Sequence, residues 1–186
     1  MMSDENVRVA ILATDGFEEV ELTSPKKALE DEGFQVEVVA PKSGTIRAWA
    51  ETDWGGDYPV DRTLGEARPE EYDALVLPGG VINPDSLRTN EEALTFVRAF
   101  FEAGKPVSAI CHAPWTLISA GVVDGRQMTS VASVAQDLKN AGALWEDSEV
   151  VCENALVTSR TPKDLPAFNA KTIEEIHEGR HRKQHA

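Results

Sequence analysis

Two cysteines and four histidines are the whole supply of thiol and imidazole in this 186-residue chain, and only at Cys111-His112 do the two types adjoin. A thiol attacks as its thiolate, so a reactive cysteine needs a proton acceptor or a field that favours the anion. Cys111 lies between the small apolar run Val107-Ser-Ala-Ile110 and Ala113-Pro-Trp-Thr-Leu-Ile-Ser-Ala120, which is apolar at helical period until Gly121. That order reads as a buried strand, a tight turn and the start of a helix, whose N-terminus lowers a thiol pKa. The alanines at Ala109 and Ala113 make the turn a loose relative of the G-x-S-x-G nucleophile elbow. Pro78-Gly-Gly80 ends another strand abruptly. Its backbone N–H groups, together with that of His112, suit an oxyanion hole at Gly80 and His112. A free cysteine after a strand is equally at home as plain core.

The first helix carries the independent clue. On a helical wheel Phe17, Leu22, Pro25, Ala28 and Leu29 share one arc, and Glu21 lies inside it. A carboxyl on a core-facing stripe needs a partner or a proton, and a protonated Glu21 can donate a hydrogen bond to a thiolate. The bland alternative is a helix rolled so that Glu21 reaches solvent. Glu18 lies near the same arc but at the helix start, where a carboxylate is favourable for ordinary reasons; its other role is pocket lining or acid/base help. Consecutive side chains at a helix start diverge by about 100°, so Nε2 of His112 is not expected to face Sγ unless the ring turns toward the pocket and a carboxylate orients it.

The elements that must hold these residues follow a βαβ pattern. Val7–Ala13 reads as a central strand, 17–31 as a helix, Phe34–Ala40 as the second strand and Tyr72–Pro78 as the next. Thr89 with Glu92 reads as a capping box for a helix with Leu94, Val97 and Phe101 inward. Gln127–Thr129 reads as a strand, and Ser133 with Gln136 as the cap of a short helix ending at Asn140. Glu149–Thr158 reads as a hairpin. Thr161-Pro-Lys-Asp164 supplies cap, N1 proline and N3 carboxylate for a last helix with Leu165, Phe168, Thr172 and Ile176 inward. The segment 45–68 has no clean period and reads as short strands and excursions. The simplest assembly is one doubly wound domain over residues 5–178, with a mostly parallel sheet, helices on both faces and the site at the C-terminal edge. Residues 179–186 read as a basic tail. His177, His181 and His185 stand four apart, but a metal site there would need the helix to pass Gly179 and a fourth ligand to join, so neither metal nor cofactor is expected.

Composition agrees with a soluble domain: 41% hydrophobic and 27% charged residues, with a formal charge of −14 that argues against nucleic acid and anionic membrane as partners. No signal pattern opens the chain and two cysteines make no disulfide framework, so a reducing cytoplasm is the expected compartment.

Five stretches carry a resemblance. They are Thr14-Asp-Gly-Phe-Glu-Glu-Val-Glu-Leu22, Tyr72–Gly80, Gly104–Trp115, Asn140-Ala-Gly-Ala143 and Thr158-Ser-Arg-Thr-Pro-Lys-Asp-Leu-Pro166. In this order they resemble the PfpI-type intracellular protease branch of the superfamily that also holds the Parkinsonism-associated deglycase and class I glutamine amidotransferase-like domains. The resemblance implies a flavodoxin-like fold and a homo-oligomer, at least a dimer and up to a hexamer, with the site at a subunit interface. It implies Cys111 as nucleophile, Glu21 as the acid hydrogen-bonded to it, Glu18 as pocket lining, and His112 oriented by Asp85 from the neighbouring subunit. Asp85 stands where members of that family often carry the longer glutamate, and Ala113 replaces a frequent glycine. The activities implied are action on small dicarbonyls or early glycation adducts (glyoxalase or deglycase), cysteine peptidase, or a redox-sensing or chaperone-like stress role through oxidation of Cys111. An amidotransferase does not fit, because Thr158-Ser-Arg-Thr-Pro162 stands where the distal histidine–glutamate pair would be.

Overall fold

The structure, a computed structural model, describes residues 6–179. Its strands are β1 (Arg8–Leu12), β2 (Phe17–Glu18), β3 (Gln35–Ala40), β4 (Thr45–Ala50), β5 (Asp53–Pro59), β6 (Arg62–Thr63), β7 (Ala74–Leu77), β8 (Val107–Ile110), β9 (Gln127–Met128), β10 (Leu144–Trp145), β11 (Val151–Glu153) and β12 (Leu156–Ser159). The helices are α1 (Glu19–Asp31), α2 (Ile82–Leu87), α3 (Glu91–Glu102), α4 (Pro114–Ala120), α5 (Ala135–Asn140) and α6 (Leu165–Glu178).

The main sheet runs β11-β12-β8-β7-β1-β3-β6, parallel except where β11 folds back on β12. Its five central parallel strands, taken in chain order, give the flavodoxin-like arrangement 2-1-3-4-5. The chain order reverses between β1 and β7, so the loops leaving these strands part there and open a crevice at the sheet's C-terminal edge. Both faces are covered, which is why β1, β7 and β8 are near-continuous apolar runs without alternation. Ala10 and Leu12 pack with Phe96, Phe100 and Leu117 on one side. Val9 and Ile11 pack with Leu22, Leu29 and Phe168 on the other.

Several local expectations are corrected. Phe17 and Glu18 do not open the first helix: they form β2, paired with Ala48 and Trp49 of β4, because Phe17 is held in the core by its sheet partner. The unpatterned segment 45–68 does hold short strands as read, with β4 and β5 forming an antiparallel hairpin. The α3 cap is Asn90, whose side chain accepts the Ala93 N–H at 3.0 Å, while the Thr89 hydroxyl turns back to Ser86 O. Neither Ser133 nor Thr161 caps a helix with its side chain. Asp164 instead binds the Arg160 N–H and guanidinium. The hairpin is closed by Asn154 and Ala155, both at positive φ, as a primed two-residue turn requires. His177 pairs with Glu32 at 2.8 Å; His181 and His185 lie outside the described residues. Among the described residues no helix is long and apolar enough to cross a membrane.

The inward stripe of α6 holds as read: Leu165, Phe168, Thr172 and Ile176 are buried. Phe168 is fully enclosed between α6 and the sheet. Phe168→Ala is expected to lower unfolding stability by ~3–5 kcal/mol, read as a fall in the urea midpoint at unchanged m-value.

Candidate active site

Three loops meet at the C-terminal edge of the sheet. The first leaves β1 through Thr14–Gly16, the second leaves β7 through Pro78–Gly80, and the third leaves β8 at Cys111. Cys111 has φ +65°, a left-handed conformation that costs a non-glycine residue of order 1–3 kcal/mol and persists only where the surroundings enforce it. Here the Cys111 N–H donates to Ser159 O at 3.0 Å and its carbonyl accepts the Val131 N–H at 3.1 Å. Pro114 then opens α4 at its first turn and Gly121 closes it in the left-handed region, as the sequence pattern indicates.

The left-handed turn overturns the expectation of diverging side chains. The 100° rule holds for successive residues inside a helix, and Cys111 stands outside one. His112 Nδ1 lies 3.1 Å from Cys111 Sγ, so the nearer nitrogen is Nδ1 rather than Nε2. Nε2 lies 3.3 Å from Ser133 Oγ. The edge of the ring meets Trp115 at 5.1 Å between centroids. Burial keeps the imidazole below its ordinary pKa, and therefore neutral at pH 7.

Glu21 is fully buried; the rolled-helix alternative fails. Its Oε1 accepts the Gly79 N–H at 3.1 Å. Oε2 makes no hydrogen bond, and the Gly80 N–H and the Cys111 thiol also stand against the carboxyl. Burial first, and the charge of Glu18 second, raise the Glu21 pKa to about 8, so it is a carboxylic acid at neutral pH. Burial likewise pushes the Cys111 thiol up, as does an ionised Glu21, whereas the N–H groups of Gly80 and His112 favour the anion. Because Glu21 holds its proton to about pH 8, the repulsion between the two anions is absent at neutral pH. The acid has a donor to offer the sulfur instead.

This closeness explains Pro78-Gly-Gly80. A Cβ on Gly79 would lie 2.7 Å from Cys111 Cβ, Glu21 Oε1 and Ile110 O, and Gly80 at φ +77° would place one 2.5 Å from Gly16 O. Asn83, wholly buried on α2, binds the turn by donating to Pro78 O and Gly79 O and accepting from the Thr14 N–H. Neither α2 nor Asn83 is visible in the sequence pattern, since six residues are too few to show a period.

A cleft of about 300 Å³ opens over the cysteine, lined by Glu18, Trp49, Glu51, Gly80, Val81, Ile82, Cys111 and His112 among others. Glu18 Oε1 accepts the Glu51 N–H at 3.1 Å, which ties the end of β2 to the β4–β5 turn. Trp49 and Glu51 come from the unpatterned segment and had no sequence signal. Asp85 is exposed on α2, while the His112 ring within one chain meets Cys111, Ser133 and Trp115. Among the described residues no group of three His, Cys, Asp or Glu side chains is arranged to hold a metal.

The fold and this site together define a flavodoxin-like α/β protein with a cysteine elbow at the switch-point edge of its sheet. The chain belongs to the DJ-1/PfpI family, whose model matches residues 7–175. It is 44% identical over 167 residues to "Protein/nucleic acid deglycase 2" of Escherichia coli, covering 89% of this chain and 95% of that one. It is 40% identical over 166 residues to YraA of Bacillus subtilis, whose name marks a candidate cysteine protease, covering 89% and 96%. Among solved structures it superposes with TM-score 0.86 and 33% identity on a two-domain protein of Anabaena variabilis with DJ-1/ThiJ/PfpI-like and ferritin-like domains, covering 92% of this chain and 48% of that one.

A carboxyl whose pKa is raised from 4.5 to about 8 on folding binds one proton more in the folded than in the unfolded state between those values. Its stabilisation is therefore full below pH 4.5 and is lost as pH rises through about 8. Glu21→Gln removes this titration. Between pH 5.5 and 7.5 the wild type is expected to lose stability relative to E21Q, by up to ~1.4 kcal/mol per pH unit, the one-proton limit. Parallel stability profiles in urea would contradict the buried acid.

Proposed function

We propose that this protein is a cysteine-dependent deglycase of the DJ-1/PfpI family, acting on early adducts of small dicarbonyls with amines and on the free dicarbonyl. The observation that carries the reading is the flanking of one thiol. His112 Nδ1 stands 3.1 Å from Cys111 Sγ, and the protonated Glu21 lies beside it, all at the floor of a cleft of about 300 Å³. The deglycase name of the Escherichia coli relative points the same way.

The chemistry runs as follows on this reading. His112 Nδ1 takes the thiol proton while Glu21 donates a hydrogen bond to the sulfur, so the charge is stabilised without a second anion. The thiolate attacks the carbinol carbon of a methylglyoxal–amine adduct. A C–S bond forms, the C–N bond breaks, and the amine leaves with the proton from His112. The free aldehyde reaches the same hemithioacetal by direct addition. Glu18 or His112 then moves a proton from the carbinol carbon to the adjacent carbonyl carbon, converting the hemithioacetal into a thioester. The N–H groups of Gly80 and His112 favour negative charge on the sulfur in the first step. Water hydrolyses the thioester to lactate and restores the thiol. The net change consumes one water and releases lactate and the amine, with no oxidant and no cofactor.

A cleft of this volume suits a small carbonyl compound or one modified side chain. The peptidase reading draws on the name of the Bacillus subtilis relative and asks for a longer groove. The redox-sensing reading asks for peroxide to modify Cys111 before Cys152 and for function without turnover. A homo-oligomer belongs to the proposal as well: Val81 and Ile82, 53% and 42% exposed, rim the cleft, and Asp85 follows on the same helix. The compartment proposed is the cytoplasm.

Cys111→Ala is expected to abolish both lactate formation from methylglyoxal and amine release from the adduct of methylglyoxal with a blocked arginine or lysine, under reducing conditions. Lactate and free amine are read by chromatography. Equal product from C111A and wild type would sink the mechanism, and cleavage of peptide reporters in place of adduct turnover would favour the peptidase.

A further inference from the structure

Each nitrogen of His112 has its own partner within one chain. Nδ1 meets Cys111 Sγ at 3.1 Å and Nε2 meets Ser133 Oγ at 3.3 Å. We propose that Ser133 is a positioning residue for the Cys111–His112 pair. Its hydroxyl holds the outer nitrogen of the ring, so that the inner nitrogen is presented to the thiol. The inference deepens the reading of Cys111 as nucleophile and rests on it.

The segment that carries Ser133 is fastened to the cysteine turn at three points. The Val131 N–H donates to Cys111 O at 3.1 Å. Ser133 engages the ring. Asp137, one turn on, accepts the Trp115 Nε1–H at 2.8 Å, and Trp115 packs edge-on to the imidazole. The ring thus has a wall in Trp115 and a tether in Ser133, both supplied or pinned by residues 131–137. Ser133 makes no cap for α5; its hydroxyl points to the ring instead. An exposed serine that neither caps nor packs has one visible task, and it is this contact.

A hydroxyl suits the task because its oxygen accepts a hydrogen bond without carrying a charge. With a lone pair on Nδ1 facing the thiol, the proton sits on Nε2 and donates to Ser133 Oγ. After the thiol proton has moved to Nδ1, Nε2–H still donates to the same oxygen. One serine rotamer therefore serves both states of the proton transfer. The charged groups around the pair are Glu21 and Glu18 on the thiol side, Glu51 at the cleft, and Asp137 and Arg88 around Trp115. Substitution at Ser133 leaves all of them in place.

The test is the pH profile of Cys111 alkylation by iodoacetamide, followed by peptide mass spectrometry beside adduct turnover, for wild type, S133A, S133T and each change repeated in a D85N background. S133A is expected to slow alkylation at neutral pH by about five- to tenfold, the scale of one lost hydrogen bond, and to move the midpoint of the profile upward. S133T, which keeps the hydroxyl, is expected to recover most of the rate. The S133A loss should be the same size in the D85N background. An S133A profile that overlays the wild type overturns the proposal, and so does a Ser133 effect that vanishes with Asp85. Wild type that shows the Ser133-dependent alkylation but turns over no adduct would overturn the deglycase reading and leave the positioning role standing.

Discussion

The carboxyl of Glu21 is the constraint on which the rest of this edge depends. It sits on the first turn of α1 with no exposure to water, where an ionised, unpaired carboxylate would cost several kcal/mol. The fold meets that cost with a proton and with three groups set against the carboxyl, the N–H groups of Gly79 and Gly80 and the Cys111 thiol. Each neighbour then limits what can stand beside it. Gly79 has no space for a side chain because Glu21 and Cys111 both press on the position where a Cβ would be. Cys111 keeps its left-handed backbone because Ser159 and Val131 bind it on either side.

Three carboxylates fall within four residues at the start of α1, and they avoid mutual repulsion by having separate partners. Glu18 accepts the Glu51 N–H. Glu19 accepts the Gly56 N–H at 2.8 Å and the Tyr58 hydroxyl at 2.9 Å, fixing β5 to the helix. Glu21 turns inward. The residual repulsion is not idle, since the charge of Glu18 adds to burial in keeping Glu21 protonated. The same short peptide therefore anchors the β4–β5 hairpin, lines the cleft and prepares the environment of the sulfur.

What was legible in the sequence follows what has a period or a fixed offset. Strands β1, β7 and β8 announce themselves as apolar runs because both of their faces are covered. The buried place of Glu21 could be read because twelve or more residues of helix define a wheel. The strand–cysteine–helix junction could be read because Pro114 and Gly121 mark α4 at both ends. The contact of His112 with the thiol was not legible, since it depends on one backbone angle at Cys111 and no pattern encodes that angle before the fold exists. Ser133 was misread for a related reason: a serine before a short helix has the same local signature whether its hydroxyl turns to an N–H or to a ring 21 positions earlier. Trp49 and Glu51 reach the cleft only because β2 pairs with β4, a tertiary fact with no local mark.

The topology also bears on which substrates the proposed chemistry suits. Cys111 follows β8, third from one edge of the main sheet and fifth from the other. A polypeptide bound at the sulfur therefore has no free strand edge of that sheet beside it on which to register its backbone, the usual source of affinity for an extended chain. Recognition is left to the cleft, where Trp49, Val81 and Ile82 give apolar surface and Glu18 and Glu51 give carboxylates. Such a lining favours a compact carbonyl carbon next to a cationic or neutral amine over a polyanion, in keeping with a chain of net charge −14. On the proposed reading, adducts on arginine or lysine side chains fit this mouth better than adducts on a phosphate-bearing base.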